Sequence, residues 1–360
     1  MTDLPKTMQA AMFYGPYKLQ IEEMPLPEVG PLDVLIQVEA TLTCGTDVKK
    51  YRRGYPLQTP PYMLGHETAG VVARVGKDVN KTFPNRHFEE GMRVVTTNLA
   101  PCHQCYYCKI GMEYVCQNMV FISGAYADYV LIPEQVARQN LLPIPESLSY
   151  EEAAAIEPLA CVIHGIEESN IEPGDTVAIN GAGPMGLLFI RLAKLKGARV
   201  IATDLSQERL EVARRMGADE VIVVSKDIDQ VAEVRKLTES SRGVDVAIEV
   251  TGLPEIWEKT IQMTRKGGLI NLFGGCASGT TITVDTGLLH YSALTIKGVF
   301  SYKPRHVLQA LTLIECGDVD AKALVSGRVP LAEVESALKR ILEQDGIKYS
   351  IIPSRSSLAI

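Results

Sequence analysis

Residues 176–204 read TVAINGAGPMGLLFIRLAKLKGARVIATD. A short apolar strand leads into a turn carrying Gly181, Gly183 and Gly186, then into an apolar helix and a second apolar strand ending on Asp204. This spacing suits a dinucleotide. Gly181 permits the tight turn, Gly183 leaves the backbone bare where a pyrophosphate approaches, and Gly186 lets the helix close on the strand. Pro184 sits in the first helical turn, where a missing N–H costs nothing, and Met185 follows it at a helix N-terminus that favours negative charge. Asp204 is placed to bind the ribose hydroxyls and repel a 2′-phosphate, which favours NAD and makes NADP the lesser alternative. Arg209 lies nearby and softens that preference. A lone G-x-G-x-x-G is a weak signal; the strand–turn–helix setting strengthens it.

Working outward, the alternation continues through QERLEVARRMG, EVIVV, a polar helix-like stretch, DVAIEVTG, IWEKTIQMTR, GGLINLFGG and ALTIKGVF. Nearly all-apolar strands separated by helices predict an α/β doubly wound parallel sheet covered on both faces, with six candidate strands. Upstream, VLIQVEA (34–40), GHETAGVVARVG (65–76), MRVVTT (92–97) and YADYVLI (126–132) are β-rich runs broken by turn residues. EEAAAIEPLACVIHGIEES reads as one helix with Ser149 as its N-cap. The tail from about Ser301 carries two amphipathic helices and the strand-like YSIIP. The expected organisation is a β-rich domain over 1–153, a nucleotide domain over 154–297, and a return to the first domain over 298–360.

The 360 residues suffice for two or three domains at roughly 100–200 residues each. With 46% hydrophobic and 22% charged residues, the composition is that of a globular chain and excludes a disordered or fibrous one. No apolar run approaches the ~18 residues of a membrane span, and MTDLPKTMQAAMFYGP lacks a basic segment leading into an apolar one. The expectation is a cytoplasmic protein without a membrane partner. A net charge of −7 speaks against a nucleic-acid partner, since such binders usually carry the opposite balance.

Eight cysteines in a chain of this kind point to metal or catalysis rather than disulfides. Cys102, Cys105, Cys108 and Cys116 form a C-x2-C-x2-C-x7-C loop within a lobe at about 98–118. Four thiolates complete a tetrahedral Zn²⁺ shell with no open position, although iron–sulfur ligation also uses four cysteines. A second group is scattered: Cys44 in TLTCGTDVKKY, His66 and Glu67 in GHETAG, and Glu157 in IEPLAC. Mixed S/N/O ligands from separate segments suit a catalytic zinc with a position left for substrate. Singly, each residue has a plain packing explanation.

Together, CGTD, GHE, the four-cysteine lobe, EPL and GAGPMG occur in the order seen in zinc-dependent medium-chain alcohol dehydrogenases, and the chain most closely resembles their polyol branch of sorbitol and threonine dehydrogenases. The resemblance covers nearly the whole sequence. It implies a Rossmann domain inserted into a GroES-like catalytic domain, and two Zn²⁺ per chain, one catalytic and one structural. By the same resemblance Cys44 and His66 match catalytic zinc ligands. Glu67 matches a residue that ligates zinc in some members or states, and Glu157 a carboxylate that ligates zinc or holds its water. Thr46 matches the hydroxyl that relays the substrate proton; the histidine that often ends that relay is replaced by Lys49 and Lys50, and Asp47 is expected to order the loop. A homodimer or homotetramer is also implied.

The implied activity is NAD(H)-dependent interconversion of a secondary alcohol (a polyol, sugar derivative or cyclic alcohol) and its ketone, by hydride transfer from a zinc-bound alkoxide. Sorbitol dehydrogenases typically carry Arg-Tyr where this chain has Ser301 and Tyr302, which argues against simply naming it a sorbitol dehydrogenase. Lys49, Lys50 and Arg52 leave a phosphorylated substrate open. A threonine- or amino-alcohol-type dehydrogenase is the alternative within the family. A catalytically silent zinc- and dinucleotide-binding protein is the alternative outside it.

Overall fold

The computed structural model describes residues 4–55, 58–83 and 86–354. The apolar run that opens the glycine turn forms the strand Thr176–Asn180, flanked by Arg199–Asp204 on one side and Val244–Glu249 on the other, all parallel. Glu220–Val223, Thr264–Leu272 and Thr295–Gly298 extend the sheet. Numbered in chain order, the six strands lie in the order 3-2-1-4-5-6, the doubly wound arrangement of the Rossmann fold. Val177, Ala178, Ile179, Val200, Ile201, Ala202, Ala247 and Ile248 are buried without alternation, because helices cover both faces.

The chain divides into two compact units, Met1–Pro158 with Lys303–Ile360, and Leu159–Tyr302. In the first unit, the strand Val34–Leu42 pairs antiparallel with Glu67–Val75, with Tyr129–Ile132 and with the C-terminal strand Lys348–Ile352. That last pairing places Ser350 opposite Leu42 and so brings this strand beside the segment that precedes Cys44. A separate three-stranded sheet joins Lys18–Pro25, Thr7–Gly15 and Tyr62–Met63. The short strands Leu99–Ala100 and Val120–Phe121 pair at the base of the cysteine lobe.

One expectation needs correction. The stretch after Ser149 is two helices, Tyr150–Ala154 and Ile156–Glu168, not one. Ser149 does cap the first, within a reciprocal box: its Oγ accepts from Glu152 N at 3.2 Å, and Glu152 Oε2 accepts from Ser149 N at 2.9 Å. The break follows from Pro158, which has no N–H for the carbonyl four residues back and fits only a first turn. Restarting the helix at Ile156 puts Pro158 in that turn and Glu157 beside it.

Candidate active site and metal centres

Cys44 follows the strand Val34–Leu42 by two residues and is the N-cap of the helix Gly45–Arg53, its Sγ accepting from Thr46 N at 3.4 Å. On the neighbouring strand Glu67 stands opposite Leu42, so strand register alone brings Glu67 to the level of Cys44. Gly65, at φ +90°, makes the turn before it; a Cβ there would lie 2.6 Å from Tyr126 N, so only glycine fits. Potential ligand atoms of Cys44, His66 and Glu67 all lie within 4.8 Å of one another. This sulfur, nitrogen and oxygen set, with His66 and Glu67 buried and Cys44 half-buried, fits a Zn²⁺ ion.

Surrounding groups orient these side chains. His66 Nδ1 meets Asp47 Oδ1 at 3.2 Å, leaving Nε2 for a metal. Gly65 N donates to the same oxygen at 3.3 Å, and Tyr126 Oη donates to Asp47 Oδ2 at 3.0 Å. Burial opposes charge on Asp47, yet His66 and these hydrogen bonds hold its carboxyl below the usual carboxylate range. Burial likewise opposes a charged His66, but Asp47 and Cys44 raise it well above an ordinary histidine.

Lys348 Nζ donates to both oxygens of Glu67, at 2.7 and 2.6 Å, and to Thr43 O at 2.9 Å. The two side chains are 1% and 0% exposed. Glu157 is buried nearby in the first turn of Ile156–Glu168. Burial pushes its carboxyl up to about 7; His66 and Lys348 pull it down while Glu67 and Asp47 push it up. It stands outside the group that converges within 4.8 Å. Thr46 is exposed in the first turn of its helix.

The four sulfurs of Cys102, Cys105, Cys108 and Cys116 also lie within 4.8 Å of one another. Cys105 Sγ is 3.5 Å from Cys108 Sγ and 3.8 Å from Cys116 Sγ, too far for disulfides. A tetrahedron with Zn–S of about 2.3 Å places its sulfurs about 3.8 Å apart. A multi-iron cluster would sit between its cysteines and hold them farther apart. Hydrogen bonds from Gln104 N and Cys105 N lower the Cys102 thiol to about 6, and those from Cys108 and Gln117 lower Cys105. Burial pushes Cys108 up to about 12 and also raises Cys116. The lobe thus fits a single cation that would hold all four as thiolates.

In the second unit, Gly181 has φ +108°, and a Cβ on it would meet Thr251 Cγ2 at 2.9 Å. Gly183 is the N-cap of the helix Pro184–Leu195, with open space where a Cβ would be. Gly186 touches Gly181, a Cβ there falling 1.8 Å from the Gly181 carbonyl oxygen. Met185 lies in the first turn. Asp204 accepts from Ala182 N at 2.7 Å and from Ser206 N at 2.8 Å, so it ties the glycine loop to the next strand. Arg209 is half-buried on the helix Gln207–Met216, which Ser206 caps. Bare backbone, a helix N-terminus and a fixed acid fit a dinucleotide.

Sequence reasoning missed Lys348 and Tyr126. The strand-like signal began at Tyr349, one residue too late, and Tyr126 passed as an ordinary β-strand aromatic. A lysine at the head of an apolar strand was the available clue.

The fold and these three sites define a class. The chain belongs to the zinc-dependent medium-chain alcohol dehydrogenase family, in its polyol branch, and is an oxidoreductase of that family. Residues 30–146 match the alcohol dehydrogenase GroES-like domain, and residues 184–315 match the zinc-binding dehydrogenase family. Sorbitol dehydrogenase of Bacillus subtilis (strain 168) is 33% identical over 98% of this chain and 99% of its own length. D-xylulose reductase A of Aspergillus niger is 32% identical over 94% of each. A solved structure from Sinorhizobium meliloti 1021, bound to NADP, shares 30% identity with a TM-score of 0.87, over 97% of this chain and all of that one. Among the described residues, no helix is long and apolar enough to cross a membrane.

Proposed function

We propose that this chain is a zinc- and NAD(H)-dependent dehydrogenase interconverting a secondary alcohol and its ketone. The observation that carries this reading is the convergence of half-buried Cys44 with buried His66 and Glu67, with Glu157 close by. We assign a catalytic Zn²⁺ to this group and a structural Zn²⁺ to the four-cysteine lobe. Zinc supplies Lewis acidity, which can lower the pKa of a hydroxyl presented to it by up to about nine units, on the order of 12 kcal/mol. An ionised alcohol expels hydride far more readily than a neutral one.

The chain's own residues do the remaining work. Asp47 fixes the ring of His66. Glu67 and Glu157 are the two carboxylates able to serve as the oxygen ligand, and Lys348 competes for the first. Thr46 Oγ1 takes the hydroxyl proton on its way to solvent. Asp204 binds the adenosine ribose hydroxyls: two of its roughly four lone-pair positions hold backbone N–H groups, and the others remain for ligand. That arrangement favours NAD, although the Sinorhizobium relative bound NADP. The names of the relatives support a polyol or sugar derivative. The left-handed, buried Ser301, where sorbitol dehydrogenases carry arginine, gives no cation for binding substrate hydroxyls. A homo-oligomer is proposed by family resemblance.

The test is an NAD-coupled panel of secondary alcohols, polyols, sugar phosphates and amino alcohols with the zinc-loaded protein. We expect NADH formation with at least one alcohol or polyol. No turnover across the panel, or turnover that survives removal of all zinc, contradicts the reading.

A further inference from the structure

We propose that Tyr126 is a positioning residue for His66, acting through Asp47, and thereby sets the metal affinity of the Cys44–His66 site. The inference rests on the metal-site reading above. Tyr126 is 0% exposed, and its hydroxyl donates to Asp47 Oδ2 at 3.0 Å. The other oxygen of that carboxylate faces His66 Nδ1 at 3.2 Å and accepts from Gly65 N at 3.3 Å. With one oxygen pinned by the tyrosine, the carboxylate cannot rotate the other away from the imidazole. Nδ1–H then stays directed at Asp47, and Nε2 is the nitrogen left facing the metal position.

The tyrosine itself is held against the segment that bears His66. Tyr126 N donates to Leu64 O at 3.0 Å, and Gly124 N and Ala125 N donate to Gly65 O at 3.0 and 3.1 Å. On its other side, Ala11 N donates to Tyr126 O at 2.8 Å. The ring lies so close to Gly65 that a Cβ there would come within 2.8 Å of Tyr126 Cδ1. Packing of the ring therefore needs no hydroxyl; the hydroxyl contributes only its hydrogen bond to Asp47. A phenylalanine would keep the packing and lose the orientation.

The experiment titrates metal-free protein with Zn²⁺ against a chromophoric chelator, using Cys44→Ala to report the four-cysteine site alone. Losing an outer hydrogen bond of this kind typically weakens metal binding about 10- to 100-fold. We expect Tyr126→Phe to weaken the Cys44-dependent site by about 10-fold or more and to leave the four-cysteine site unchanged. In an Asp47→Asn background the same substitution should add little, because the effect passes through the carboxylate. Unchanged Zn²⁺ affinity in Tyr126→Phe, with or without a lower melting temperature, overturns the proposal. An equal loss in both backgrounds overturns it too. If the unsubstituted protein binds no more Zn²⁺ than Cys44→Ala, the metal-site reading itself falls and takes the proposal with it.

Discussion

A lysine buried to 1% exposure persists only if every proton it carries has a partner, and all three protons of Lys348 do: two on Glu67 and one on the Thr43 carbonyl. Removing the cation strands a buried carboxylate. Lys348→Met is therefore expected to lower stability by about 3–5 kcal/mol, while adding Glu67→Gln recovers much of that loss. Urea unfolding checks this, and an unchanged midpoint for Lys348→Met would contradict it. Asp204 holds the backbone of its own loop, beside the ribose-binding role proposed for it. Asp204→Ala should lower the NAD-to-NADP preference about tenfold or more and weaken both cofactors, read as separate dissociation constants. A pure change of preference with no loss of NADP affinity would deny the loop-fixing role. These double duties explain the limits of the sequence. Cys44, His66 and Glu67 announce themselves by residue type and local motif. Lys348 is a partner that only strand pairing, 281 residues away, can supply.

At the scale of elements, strands and the glycine turn were legible because apolar runs and glycine spacing are local signals. The break at Ala155 was not, since the apolar run continues across it and only Pro158 objects. The cysteine lobe is the clearest case of an element its side chains cannot hold alone. It contains one short helix, Tyr106–Lys109, and a single helical turn at Glu113–Val115, while Tyr106 and Phe121 are 66% and 63% exposed. So little apolar burial accords with the structural Zn²⁺ proposed for the lobe. Chelation should expose residues 102–116 to protease while the second unit still binds NAD(H). Cleavage elsewhere first, or a lobe that stays resistant without metal, would contradict a structural metal there.

For the whole molecule, length allowed two domains but could not reveal that one interrupts the other; the order of motifs supplied that expectation. The structure gives the physical form of the return. Lys348–Ile352 re-enters the first unit beside Val34–Leu42, and its first residue reaches the candidate metal site. The active-site reading thus depends on both ends of the unit folding together around Cys44. The most direct test compares the unsubstituted protein with Cys44→Ser, measuring bound zinc and NAD-coupled alcohol oxidation in the same samples. The account predicts two zinc ions per chain and turnover in the first, with one zinc ion, an intact fold and no turnover in the second. Equal turnover in both would contradict it.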